Sequence, residues 1–423
     1  MRRKRPLLCI GGNEDEGKTR KIMDSYGFFK HLATQNCYTA LTHTLNSAAC
    51  TIQTKKTLKR ITLPEIQYAH MGQLILKDGV CYATFLQNPG TDTEHESSDT
   101  SGVVLAIFSL DRVQSPTFDP ARDVEYHLLG KKGDTCDGYV AASIFKDNSM
   151  CLVGDRLYIC FSFITEDGRS HIFSKVFHIG EKRWGEESVC TLCYRGEAHD
   201  FSDETISRIF RDKGISASAK GLIELVSAWS EYEGEYYATG ITMDGANNGF
   251  VVKTKDFRTM ELVDAIPFND RGTAEVASYI REGRLYVACR QDYGVPYLYL
   301  GFLDLKSLEW KHFYKVADGN ARPWFFEHRG ELYFLYTVEE IDRRYANLAR
   351  VRTTKTGYEF FDERIPIEIV ATIKDCGFYF ATAVEGDRVY FVCTKDTESF
   401  GELSMDFYDP DEVNERLLEI FQK

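Results

Sequence analysis

The residues best suited to chemistry in this sequence are a glutamate, arginines and a tyrosine that recur at one position of a repeated pattern. The pattern is clearest between Thr273 and Tyr336, where it runs twice, first as Glu275…Gly283-Arg-Leu-Tyr286…Arg290 and then as Arg322-Pro-Trp…Gly330-Glu-Leu-Tyr333. Each copy reads as a hairpin: a β-rich run reaches a glycine-centred turn and a second run returns. Residues before the first strand and after the second therefore meet at one end. Glu275, Arg290 and Arg322 stand at that end. The same spacing, a turn residue three positions before a tyrosine, recurs at Gly79, Asp155, Gly234, Gly283, Gly330 and Asp387. Counting eight residues back from each gives Met71, Asp147, Val226, Glu275, Arg322 and Tyr379, with His70 beside the first. If the copies are equivalent, these residues share one level around a common axis. A narrow axis favours small or apolar residues, whereas four of these six are titratable and of mixed sign. Polar groups of both signs converging in this way are the usual form of a carbohydrate site.

The elements that must position this ring are the hairpins themselves. Each is followed by further β-like runs, such as VVLAIFSLD, HIFSKVFHI, GFVVKTKDF, YLYLGFLDL and ANLARVRTT. About four strands per unit, repeated at roughly 45 to 80 residues, predict the blades of a six-bladed β-propeller over residues 36–408. Few strands follow the last hairpin, so Thr-rich strands between Cys37 and Leu63 are expected to complete that blade and close the ring. Ser202, with acidic residues behind it, Ile206, Ile209 and Phe210 on one face and Gly214 as a stop, predicts a short helix near the central pocket. Asp409-Pro410 caps a predicted amphipathic C-terminal helix over 409–423. Residues 1–35 form an N-terminal extension.

Composition narrows the function classes. With 43% hydrophobic and 13% aromatic residues there is ample material for a β-type core. A net charge of −13 argues against nucleic acid as a partner, because phosphate binding needs clustered Lys and Arg. The apolar run Leu7 to Ile10 is shorter than a secretory core, and no stretch is long enough to span a bilayer, so no membrane partner is expected and the expected location is cytoplasmic. In that setting most of the twelve cysteines are expected to be reduced core residues, with half a zinc site or a redox pair as the alternative for Cys190-x-x-Cys193. Gly12-NEDE-Gly17-Lys18-Thr19 matches a phosphate-binding loop in form, but its three carboxylates would oppose a phosphate and no βαβ series follows. No cofactor and no metal is expected.

Glu275-x14-Arg290, the opening Asn320-Ala-Arg322-Pro and the opening Tyr379 together give the chain its likeness to a known family: over roughly residues 64–395 it resembles a divergent sialidase-like six-bladed propeller of the neuraminidase-like superfamily. The resemblance implies a glycoside hydrolase acting on an acidic sugar, a sialic or a uronic acid. It implies Tyr379 as nucleophile, Glu275 as its base, Arg290 and Arg322 as a carboxylate clamp, and a first-blade acid at Asp92, with Glu94 and Asp99 in the same loop. His70 stands near the place of the family's third arginine, and Asp147 joins the substrate-binding set. No blade carries the family's Ser-x-Asp-x-Gly-x-Thr-Trp turn. The residues also admit other roles: Glu275 in a structural ion pair, Tyr379 and His70 in the core, Asp147-Asn148 in a turn. A lyase acting on uronates and a propeller that binds a glycan or protein without turnover are the alternative functions, and the oligomeric state is left open.

Overall fold

The hairpin turns explain why the pattern folds as it does. At four of them both central residues have positive φ (Asp78-Gly79, Glu233-Gly234, Glu282-Gly283 and Arg329-Gly330). That is the type I′ geometry, whose twist matches the strands it joins. At the other two the glycine comes first, as Gly154 (φ 60°) and Gly386 (φ 58°). The aspartates that follow, read from the sequence as the turn residues, are its second members. The structure is a computed structural model, and its described residues run from 51 to 405, apart from 54–57, 90–99, 218–220, 244–247, 268–271, 292–297, 317–320, 339–344, 352–366, 375–376, 396 and 404.

The described strands form an all-β propeller of six sheets, five with four or five strands and one with seven. In chain order the sheets begin at the axis with Tyr68–Lys77, Tyr139–Val153, Leu222–Leu225, Thr273–Arg281, Trp324–His328 and Phe378–Glu385. The inner edge of each packs against the next, and the sixth packs against the first, so the sheets stand as blades around a closed ring. Of the two described segments of the Thr-rich stretch, one joins the sixth blade as expected and the other joins the fifth. Thr51–Gln53 adds a parallel strand to Ile367–Lys374 at the rim of the fifth blade, and Lys59–Arg60 pairs antiparallel with Thr397–Leu403 as the outer strand of the sixth.

Hydrophobic burial lies between neighbouring blades. Between the fourth and fifth, Tyr286, Ala288 and Leu300 pack with Phe325, Phe334 and Tyr336. The repeated tyrosines Tyr82, Tyr286, Tyr333 and Tyr390 are buried in this way, as aromatic side chains bearing one polar tip suit. Nearer the axis the contacts are polar: Gln73 donates to the Asn148 carbonyl at 2.9 Å, and the hydroxyls of Ser278 and Ser227 lie 2.9 Å apart.

The helix expected after Ser202 spans Asp203–Asp212, with the Ser202 hydroxyl accepting from the Thr205 N–H at 3.3 Å and Ile206, Ile209 and Phe210 buried against the third blade. Sequence reading missed two shorter helices in the first blade, Leu110–Gln114 and Pro120–Asp123; the second is opened by an Asp119 cap and a proline in its first turn. Among the described residues no helix is long and apolar enough to cross a membrane. The N-terminal extension 1–35, its phosphate-loop-like stretch and the C-terminal helix 409–423 lie outside the described residues.

Candidate active site

The ring level inferred from spacing is where the inner strands lose their regular pairing. Register shifts fall between His70 and Gln73 in the first blade, Ile144 and Asn148 in the second, Thr273 and Glu275 in the fourth, and Phe378 and Ala381 in the sixth. A bulge adds a residue that escapes strict alternation and re-aims its side chain. Met71 and Tyr379 are equivalent residues of two such bulges and both take positive φ, 61° and 56°. For bulky side chains this is a strained backbone, of the kind that clusters at functional sites. In the third blade the inner strand breaks between Leu225 and Ser230, which turns the Val226 carbonyl toward the axis.

These irregularities bring residues from distant blades into contact. The Tyr379 hydroxyl donates to Glu275 Oε1 at 2.5 Å, and Arg290 Nη1 donates to the other oxygen, Oε2, at 2.9 Å. Glu275 and Arg290 face each other directly across their hairpin. Tyr379 and Glu275 are each only 2% exposed, whereas the Arg290 side chain retains 17%. Arg290 is thus the cation on the open side of the dyad. Arg322 lies beneath it, fully buried, and donates from Nη2 to the Gly72 carbonyl at 2.7 Å and from Nη1 to the Val226 carbonyl at 3.5 Å. Its guanidinium also sits 6.0 Å from the centre of the Tyr379 ring. A substrate carboxylate gripped by Arg322 would take over one of those carbonyl bonds.

His70 meets the Tyr379 ring edge-on, with centroids 4.2 Å apart, and its Nδ1 lies 3.1 Å from the Thr394 hydroxyl. Of the predicted set, His70, Glu275, Arg290, Arg322 and Tyr379 therefore converge. Asp147 lies in the irregular part of Tyr139–Val153 and its side chain is outside the described residues, as are Asp92, Glu94 and Asp99 altogether.

Sequence reasoning missed Thr394 and Glu398. Thr394 Oγ1 lies 2.8 Å from Glu398 Oε1, and Glu398, fully buried, also accepts from the Gly72 N–H at 3.3 Å. Burial pushes its carboxyl up to about 7, against the opposing effects of Thr394, Arg322 and Gly72. No local signal marked either residue: the run Thr397–Leu403 reads TESFGEL, with a second glutamate at Glu402, and nothing in it sets Glu398 apart. Gly72 is constrained by the same contacts, since a Cβ there would meet Glu398 Oε2 at 2.9 Å and Val392 Cγ2 at 3.0 Å.

Cys190 and Cys193 are both free, and burial drives the Cys190 thiol far above its ordinary value, which disfavours the thiolate that redox exchange or metal ligation requires. Among the described residues, no group of three or more His, Cys, Asp or Glu is placed to hold a metal ion.

No protein-family model matches this sequence, and no curated protein matches it. Solved structures do. Trypanosoma rangeli sialidase in complex with the inhibitor DANA matches with a TM-score of 0.56 at 14% identity over 81% of this chain and 56% of that one. The same sialidase in complex with sialic acid matches at 0.53 and 13% identity, over 80% of this chain and 54% of that one. The Hadza microbial sialidase Hz136 matches at 0.56 and 9% identity, over 82% and 67%. This chain thus spans little more than half the length of the Trypanosoma enzyme, and at these identities the likeness is one of fold.

Proposed function

We propose that the chain is a sialidase-like glycoside hydrolase acting on an acidic sugar, a sialic or a uronic acid. In this reading Tyr379 is the nucleophile, Glu275 its base, Arg290 and Arg322 grip the substrate carboxylate, and Asp92 supplies the acid of the first-blade loop. The observation that carries the proposal is the short Tyr379–Glu275 hydrogen bond, made between blades and closed on its far side by Arg290. A sialic acid carries its carboxylate on the anomeric carbon and so repels an Asp or Glu nucleophile, a cost that a neutral phenol avoids. A uronic acid, whose carboxylate lies elsewhere on the ring, would draw only on the arginine clamp. A phenol near its ordinary pKa of about 10 attacks poorly at neutral pH, so it needs a bonded carboxylate to take its proton as the new bond forms.

Arg290 adds a gate to this chemistry. Arg290 pairs with Glu275 through Oε2 at 2.9 Å, so a substrate carboxylate competes with Glu275 for the same guanidinium. A substrate carboxylate that draws Arg290 away frees Glu275 Oε2 at the moment the sugar is in place. Arginine suits the exchange because its planar fork can hold two oxygens at once.

The test is a double-mutant cycle on fluorogenic aryl glycosides of sialic acid and glucuronic acid. Glu275→Gln and Tyr379→Phe are each expected to lower turnover by about a hundredfold or more. The double variant should be scarcely worse than the poorer single, because groups acting as one unit are not additive. Additive losses, or near-wild-type turnover in Tyr379→Phe, would count against the dyad.

A further inference from the structure

Beneath the dyad runs a second line of polar groups that the proposed chemistry does not use. His70 Nδ1, Thr394 Oγ1 and Glu398 Oε1 are joined by contacts of 3.1 and 2.8 Å, all three residues are buried, and they come from one strand of the first blade and two of the sixth. A threonine hydroxyl has one hydrogen to donate and can accept in return. When Glu398 is ionised it can only accept, so Thr394 must donate to it. The Thr394 oxygen then accepts from His70, which places a proton on Nδ1. When Glu398 is protonated the direction reverses: Glu398 donates to Thr394, Thr394 donates to Nδ1, and the imidazole hydrogen resides on Nε2. Passing one proton along the line breaks the Glu398 O–H bond and forms one at Thr394, while the former Thr394 proton forms the N–H bond at Nδ1. The carboxylic acid and neutral imidazole become carboxylate and imidazolium with no outside reactant.

We propose that Glu398, acting through Thr394, is a positioning residue that sets the tautomer and charge of His70, making the ring against Tyr379 a cation that responds to pH. Charged His70 places positive charge 4.2 Å from the phenol ring centre. There it favours the electron-rich ring as negative charge develops on the Tyr379 oxygen, and it supplements Arg290 in holding an anionic sugar. The carboxyl of Glu398, raised to about 7 by burial, lies close enough to the ordinary histidine range for the two groups to titrate as a pair. Titratable or charged groups facing His70 include Tyr68 on its own strand, Tyr379 on the adjacent inner strand with Glu275 and Arg290 bonded in line behind its hydroxyl, and Arg322, which reaches the neighbouring Gly72 peptide. The second blade contributes the uncharged Asn148, which donates to the Met71 carbonyl.

The inference rests on the proposed hydrolase, so its test includes a readout independent of turnover. In full-length protein labelled with 15N-histidine, His70→Gln assigns the His70 signals, whose long-range 1H–15N pattern reports tautomer and titration. In the wild type, neutral His70 should carry its proton on Nδ1 once Glu398 is ionised. Glu398→Gln and Thr394→Val should each lower the midpoint of His70 titration by about one pH unit, and Thr394→Ser should restore it. If Glu398→Gln does not fold, the Thr394 pair carries the same comparison. An unchanged tautomer and midpoint in both variants would overturn the proposal, whether or not the chain hydrolyses a glycoside. In active enzyme the alkaline fall of kcat/KM should move with the His70 midpoint. A midpoint that moves while that limb stays still would overturn the link to the site.

Discussion

A carboxylate sealed near the axis of a propeller resists ionisation, and Glu398 makes that resistance measurable. Its native pKa of about 7 lies above the ordinary 4.5, so the folded chain binds this proton more tightly than the unfolded chain does. The associated stability is complete below about 4.5 and is lost as pH rises through about 7. Wild-type protein should therefore lose stability relative to Glu398→Gln across that window, by at most ~3 kcal/mol from the size of the shift. Urea unfolding of both proteins at pH 5 and pH 8 checks it. A gap that does not change with pH would mean that Glu398 is ionised throughout. Glu275 is the contrasting case: equally enclosed, it has a phenol hydroxyl on one oxygen and a guanidinium on the other. Burial of a charge is tolerable when it is paired in this manner.

The elements of the site are bulges, and their construction depends on close backbone approach. Gly377 opens the sixth-blade bulge with φ of 83°, and a Cβ there would lie 2.2 Å from the Thr394 carbonyl oxygen. Neither the dihedral nor the space admits a side chain. Gly377→Ala should cost about 3 kcal/mol or more in denaturant unfolding. It should also disturb Tyr379 and Thr394 together, because the clash is with the strand that carries Thr394. If the variant is as stable as the wild type and retains its His70 signals, the bulge tolerates a conformation other than the one seen. The Asp203–Asp212 helix belongs to the same scale. It docks through Ile206, Ile209 and Phe210, while Asp203 accepts from the Ser170 N–H at 2.9 Å and pairs with Arg169 at 3.2 Å. Those contacts fix it beside the turn between two strands of the second blade, at the end where the inner strands begin.

For the whole molecule the decisive event is closure of the ring. The dyad joins the fourth blade to the sixth, and Arg322 in the fifth reaches carbonyls of the first and third. All of these contacts run between blades that are distant in sequence. The junction of the sixth blade with the first is reinforced by Arg60, whose Nη2 donates to the Ile66 carbonyl at 2.6 Å, and by Ile61, fully buried among first- and sixth-blade side chains. Ile61→Ala leaves a cavity at that junction and should destabilise the chain by about 2 to 4 kcal/mol. If closure sets the site geometry, turnover should fall at temperatures where most of the variant is still folded. The measurement is a thermal melt beside an activity profile. Coincident loss of both would show that the junction serves stability alone.

What the sequence by itself determined was everything encoded within one hairpin. The type I′ turns need a glycine at a set distance from the returning tyrosine, and the strands need alternation, so both periods are readable in about twenty residues. Because the blades are equivalent, the count back from each turn also reached Glu275, Arg322 and Tyr379, and the Glu275–Arg290 pair is a cross-strand neighbour within one hairpin. Tertiary structure alone decided the rest. No local pattern announces a bulge that gives Tyr379 positive φ, nor the bond between residues separated by 104 positions. Glu398 was invisible for the same reason: its burial, its raised pKa and its link to His70 arise from strands more than 300 residues apart in sequence, brought together when the ring closes. Local propensity is set by neighbours along the chain, whereas the electrostatics of a site are set by what excludes water from it, and here that is the meeting of the last blade with the first.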